Sequence, residues 1–262
     1  MFYTPYQAPG QGRHPTAIVH PSAQLHETVA VGAHATIGEG VQIGAGSVIH
    51  EGVRLGAFVK IGKNCAVYDN CVIYDRCEIR NNVVLHAGVV IGADGFGYIF
   101  RDGKHRKLLH LGGVIIEDEV EVCPNATIAR AKTGNTVIGR GTKIDSLVII
   151  AHNVELGPMC VVAGQVGLAG SVKAGAGVYF GGQSGAVNGV RVGDGAKITA
   201  QSCLISDIEA GAVVSGMPAF DHSAYLRMHS RMRRLGDLAD QVAELSRRIA
   251  QIEAATDHPK PG

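Results

Sequence analysis

Groups able to act as bases, nucleophiles or metal ligands near neutral pH are plentiful in this chain, with twelve histidines and six cysteines among 262 residues. Their spacing sorts them. His20, His26, His50 and His86 each follow a large aliphatic that recurs every six residues, at corners where polar side chains face water. His50, Tyr68 and His86 stand 18 apart, a spacing that would stack them in one outward ladder. A zinc site would need a close histidine pair plus a third ligand; the spacing offers no convincing set, so no metal is expected. Cys65, Cys71, Cys77 and Cys160 fall in a second, smaller column, while Cys123 and Cys203 stand alone. Successive members of that column lie on different faces, which predicts core thiols in a reducing compartment, not ligands or disulfides. Two basic clusters complete the inventory. Arg101, Lys104, Arg106 and Lys107 flank an Asp102-Gly103 turn, and Arg227, Arg231, Arg233 and Arg234 lie in a stretch without acids.

The element that must position these groups is a repeat. Stepping by six from Val19 gives Leu25, Val31, Ile37, Ile43, Ile49, Leu55, Ile61, Val67, Ile73, Ile79, Leu85 and Ile91, thirteen branched aliphatics in thirteen positions. A smaller residue precedes each by two, from Ala17 through Ser47 and Cys65 to Val89. Six residues advance an α-helix by about 600°, so such a column would wander round a helix but stays on one face of a strand. No single strand runs that far, and the Gly, Asn, Asp and Glu after each mark supply turns. The pattern predicts an all-β solenoid, a parallel β-helix of hexapeptide repeats.

The domain plan follows from where the six-step holds. Residues 1–18 form an N-terminal extended arm, and 19–216 form the β-helix. The step fails at 92–113, where YIFR and KHRKLL around Asp102-Gly103 predict a β-hairpin, and again at 131–136. Residues 217–262 form a C-terminal helical segment and tail, in which Leu235, Leu238, Val242, Leu245, Ile249 and Ile252 make a seam of about two and a half heptads. That seam is too short to be stable alone and should pack against copies of itself or the solenoid.

Composition narrows the function classes. A formal charge of +1 gives no reason to expect a nucleic-acid partner. No apolar run reaches the roughly 18 residues of a transmembrane segment. The N-terminal MFYTPYQAPGQGRHP lacks a signal-peptide apolar region, so a cytoplasmic location is expected.

Several segments carry a family resemblance: IIAHNVELG around His152, VVLHAGVVIGADGFGY (83–98), LGGVIIEDEVEVCPNATI (111–128), VVAGQVGLAGSVKAG (161–175) and SGMPA (215–219) followed by a short helix. Together with the repeat they resemble the UDP-3-O-acylglucosamine N-acyltransferases among the hexapeptide acyltransferases. The resemblance implies a left-handed β-helix, a homotrimer, and transfer of a 3-hydroxyacyl group from acyl carrier protein to the amine of a nucleotide-linked amino sugar in lipid A synthesis. The co-substrate is then the carrier's phosphopantetheine thioester, with no other cofactor. An acetyl-CoA-dependent sugar acetyltransferase and a catalytically retired scaffold are the alternatives.

The same resemblance makes His152 the general base for the attacking amine. The unbroken register places Gly170 one coil on from His152, and its amide is the expected oxyanion donor, a mere turn glycine being the alternative. Asn153 and Asp145 are candidates to orient the imidazole. Phe96, Tyr98, Arg130 and Asn188 are the substrate-binding candidates, the aromatics for stacking, with phosphate contacts from the basic hairpin. Arg227, Arg231, Arg233 and Arg234 would dock the acidic carrier. Departures are visible too. A second histidine usual in the family falls on Val190, the usual IDRG reads Ile128-Ala129-Arg130-Ala131, and a common glutamine is Ile149. The family's N-terminal uridine-binding domain of about 100 residues is expected to be missing, since only the arm precedes the first coil.

Overall fold

Residues 10–256 are described in the computed structural model of the chain, which divides into two compact units meeting between Met217 and Pro218. Tyr3 and Tyr6 of the arm and the last residues of the tail lie outside the described residues.

The first unit is a left-handed parallel β-helix. Three sheets of eleven, ten and nine strands form its faces, and nearly every strand pairs with the one a full coil away, as Ile18 with Thr36 and Ala66 with Val84. The arm is shorter than expected, because Gly12 and Arg13 already pair with Ala30 and Val31. Between strands the chain turns through corners in the left-handed backbone region, at Asn64 (φ 55°), Asn70 (φ 58°) and Asn82 (φ 55°) for example. Asparagine and glycine tolerate that region best, which is why they recur there. Both columns point inward: Ile37, Ile49, Ile73, Ile79, Leu85 and Ile91 are buried, with Cys65, Cys71, Cys77 and Cys160 among the small residues that let the coils close up. Burial pushes the Cys71 thiol up to about 12 and the Cys77 thiol to about 11, so neither is a nucleophile near neutrality.

The excursions appear where the six-step fails. Val90 pairs with Thr127, where an 18-residue step would have given Leu108, and the intervening chain forms an antiparallel hairpin of Tyr98–Arg101 with Lys104–Lys107. The second excursion is tighter than expected, since Asn135 and Thr136 already belong to a strand paired with Gly113 and Val114.

The outward ladder forms, with one correction. Rings of His50 and Tyr68 stack at 4.5 Å and those of Tyr68 and His86 at 5.3 Å. His50 is nevertheless 2% exposed and not a solvated corner, and its pKa is lowered by that burial. His50, Glu51 and Asp69 also bring possible ligand atoms within 4.8 Å of one another. Glu51 and Asp69 stand 18 apart, the spacing of the ladder itself, but a criterion that counted only histidines passes over them.

The second unit holds α1 (His222–Met232), capped by Asp221 Oδ1 accepting from the Ala224 amide, and α2 (Leu235–Thr256). All six seam residues of α2 are more than half exposed, the least being Leu245 at 53%.

Candidate active site

His152 follows the strand Ile149–Ile150 at a corner of the ten-stranded sheet, half-buried, where the 92–113 insertion comes back over the solenoid. It lines a cavity of about 620 Å³ with Phe96, Gly97, Tyr98, His105, Leu108, Lys132 and Asn188. One wall is therefore apolar and aromatic, from the insertion, and the other is polar, from the coils. Phe96 and Tyr98 meet edge to face at 5.1 Å.

The imidazole is held on one side only. Nδ1 of His152 is 3.2 Å from Asn153 Oδ1, which also accepts the Lys132 amide at 3.0 Å, while Asn153 Nδ2 donates to the Thr133 carbonyl. Desolvation lowers the His152 pKa; the Asn153 bond opposes this, and the Lys132 charge, together with His110 when its ring is protonated, reinforces it. A neutral ring at pH 7 results, with Nε2 as its basic atom. Gly170 lies directly beside that atom, since a Cβ placed on it would sit 2.7 Å from His152 Nε2 and 3.0 Å from Asn188 Oδ1. The Gly170 carbonyl accepts from the Gly189 amide, whereas its own N–H enters none of the coil-to-coil bonds among the described residues.

The structure thus brings His152, Asn153, Gly170, Asn188, Phe96 and Tyr98 to one place. Asp145 is not among them. It lies on the eleven-stranded sheet and accepts from the Ser146 amide, because seven residues along this coil lead to another face. Arg130 does not line the cavity either: it is 7% exposed, and its guanidinium donates to the carbonyls of Gly92 and Asp75, tying the root of the insertion to the coil beneath. The basic hairpin is largely neutralised internally, Lys107 by Asp94 and Arg106 by Asp102. Val190 is 4% exposed in the core and cannot present a side chain to the cavity. Arg227 and Arg231 lie on α1, Arg233 caps it and Arg234 follows, all four exposed.

Sequence reasoning missed Lys132, His105, Leu108 and His110. Three of these sit in the insertion, where no repeat register exists to place them; for Lys132, its place inside the second failure of the six-step was the available signal.

Comparisons with known proteins agree with the repeat and the motifs. Residues 58–93 match the bacterial transferase hexapeptide (six repeats) family. A UDP-3-O-acylglucosamine N-acyltransferase 3 of Gloeobacter violaceus is 55% identical over 172 residues, 65% of this chain and 50% of that protein. One of Anaeromyxobacter sp. (strain K) is 44% identical over 208 residues, 77% of this chain and 59% of that protein. The chain therefore spans between half and three-fifths of the length of these curated relatives. Among solved structures, an Arabidopsis UDP-N-acetylglucosamine acyltransferase superposes with a TM-score of 0.70 at 24% identity, covering 78% of this chain and 71% of the other, a likeness of fold. The resemblance carried by the motifs is borne out, and the solenoid belongs with the UDP-3-O-acylglucosamine N-acyltransferases among the hexapeptide acyltransferases.

Proposed function

We propose that the chain is an N-acyltransferase that moves a 3-hydroxyacyl group from the phosphopantetheine thioester of acyl carrier protein to the amine of a nucleotide-linked amino sugar. The observation that carries this reading is the His152 imidazole, neutral, held through Nδ1 and open at Nε2 beside Gly170. The acceptor amine attacks the thioester carbonyl while His152 Nε2 removes its proton, and the Gly170 N–H donates to the oxyanion. Collapse expels the carrier thiolate, which takes the proton back from His152. An amide and a free thiol result, and the step as written needs no further cofactor. Phe96 and Tyr98 offer the acceptor's base a stacking surface, and Lys132 is the cavity's fixed cation for its phosphates. A cavity of about 620 Å³ also exceeds what an acetyl group requires, which favours a longer acyl donor.

Two further parts of the reading concern assembly and place. The chain acts as a homotrimer, and it works in the cytoplasm beside the carrier. No helix among the described residues is long and apolar enough to cross a membrane. The test is a mass-shift assay with purified chain, 3-hydroxyacyl carrier protein and a UDP-linked glucosamine with a free 2-amine. The acceptor should gain one acyl group, and His152→Ala should lower turnover on the order of 10² to 10⁴ while the protein stays folded. Transfer that survives the substitution unchanged would remove His152 from the chemistry.

A further inference from the structure

The segment returning from the hairpin reverses the usual order of burial. Leu109 and Leu111 are 72% and 67% exposed, whereas His110 between them is 4% exposed. Transfer free energies alone would bury the leucines and expose the imidazole. Its Nδ1 lies 3.1 Å from the Leu108 carbonyl and so carries the hydrogen, leaving Nε2 as a buried acceptor without a hydrogen-bond partner among the described residues. A group buried at that cost needs a reason.

What the ring touches supplies the reason. A Cβ on Gly95 would sit 2.7 Å from His110 Nε2 and 3.0 Å from the Cβ of His152, and a Cβ on Gly97 would sit 2.9 Å from His110 Cε1. One edge of the imidazole therefore fits a notch that exists only because both residues lack side chains. Gly95 and Gly97 are buried, and Phe96 between them is 89% exposed on the cavity wall. The His110 and His152 rings lie 5.2 Å apart, and the Leu108 amide donates to the Gly97 carbonyl, so the ring is anchored to the same strand end that closes the notch. We propose that His110 is a positioning residue: its ring locks the Gly95-Phe96-Gly97 stretch against His152 and thereby fixes Phe96 as a wall of the substrate cavity. What Phe96 is positioned for rests on the proposed function; the lock itself does not.

Hydrogen exchange read by mass spectrometry on the full chain tests the lock without reference to activity. In His110→Ala the amides of residues 94–98 should exchange on the order of tenfold faster, while the coils exchange as before. His110→Gln, which can still donate to the Leu108 carbonyl, should restore part of the protection. Gly97→Ala, which must unseat the ring with His110 intact, should give the same local rise. Unchanged exchange at 94–98, or a rise spread evenly through the solenoid, would overturn the proposal. Kinetics then test the link to Phe96. His110→Ala should raise the KM for the amino-sugar acceptor on the order of tenfold or more with a smaller effect on kcat, and should add nothing in a Phe96→Ala background. Additive losses would show that His110 acts by another route. If the unaltered chain transfers no acyl group, the functional reading fails while the exchange data still decide the role of His110.

Discussion

Lys132 and His152 converge on a single atom: the Lys132 amide and His152 Nδ1 lie 3.0 and 3.2 Å from Asn153 Oδ1. A backbone N–H can only donate, so the atom it meets must be the carbonyl oxygen of the asparagine and not its nitrogen. That oxygen can only accept, so His152 Nδ1 must carry a hydrogen. Geometry alone thus fixes the tautomer and leaves Nε2, beside Gly170, as the atom with the lone pair. The 131–134 excursion, which breaks the repeat, is what brings the Lys132 amide to this point.

The pH dependence follows with a definite sign. Desolvation first, and the Lys132 charge further, hold the His152 pKa below its ordinary 6.5. A base must be unprotonated to act, so the limb that His152 contributes to kcat/KM should lie below pH 6.5, apart from the limb set by the acceptor's own amine, which must also be unprotonated to attack. Lys132→Met removes one depressing charge and should move that limb to higher pH. A His152 ring that titrates above 6.5 by NMR in the unaltered chain, or whose titration Lys132→Met shifts downward, contradicts the assignment.

Gly170 can be tested apart from backbone strain, because its φ is not in the left-handed region and alanine is allowed there. The added methyl would approach His152 Cε1 to 2.5 Å and Nε2 to 2.7 Å, so one of the two must shift. Gly170→Ala should therefore leave the circular dichroism and melting of the solenoid nearly intact yet cost on the order of 10² in turnover, as a misplacement of about 1 Å does. An alanine variant with full activity would mean that Nε2 and the Gly170 amide do not share the reacting group.

Legibility followed the register. Thirteen inward aliphatics in step made the solenoid readable, and 152 plus one coil located Gly170, because every coil must repeat the same inward pattern to close on the next. Outside the register the reading failed for physical reasons. His110 was invisible because its burial depends on two glycines more than a dozen residues upstream in an insertion. Arg130 stood as a substrate-binding candidate, but the insertion's root covers it and turns its guanidinium to Gly92 and Asp75. His50 counted as a solvated corner until Tyr68 from the next coil stacked over it. Val190 belongs to the inward column, so Val190→His would bury an imidazole in the core and cannot restore a second active-site histidine.

Carrier docking is expected to be electrostatic. Arg227, Arg231, Arg233 and Arg234 are exposed, and none of them forms an ion pair among the described residues. Acyl carrier proteins are acidic, so reversing Arg233 and Arg234 to glutamate should raise the KM for the carrier several-fold at low salt, with the difference shrinking as ionic strength screens it. An unchanged KM at low salt would leave the cluster as an ordinary solvated face.

Assembly should use the sheet that ends at His152. In the later coils its outward positions are Thr127, Ile149, Gly167, Gly185 and Cys203, all without charge. The corresponding positions of the nine-stranded sheet are Val137, Glu155, Lys173 and Arg191, three of them charged. A flat, uncharged strand face that is rich in glycine and carries Ile149 at 61% exposure lets another solenoid approach closely without stripping water from ions. The charged sheet does not. Light scattering at micromolar concentration should give three times the mass of one chain, and Ile149→Asp should reduce it to the monomer by burying an unpaired carboxylate at the contact. The helical seam of α2 makes the opposite claim testable with the same instrument: if assembly ran through the seam alone, Leu238→Asp with Leu245→Asp would dissociate the protein and Ile149→Asp would not. A monomeric mass for the unaltered chain would end both versions.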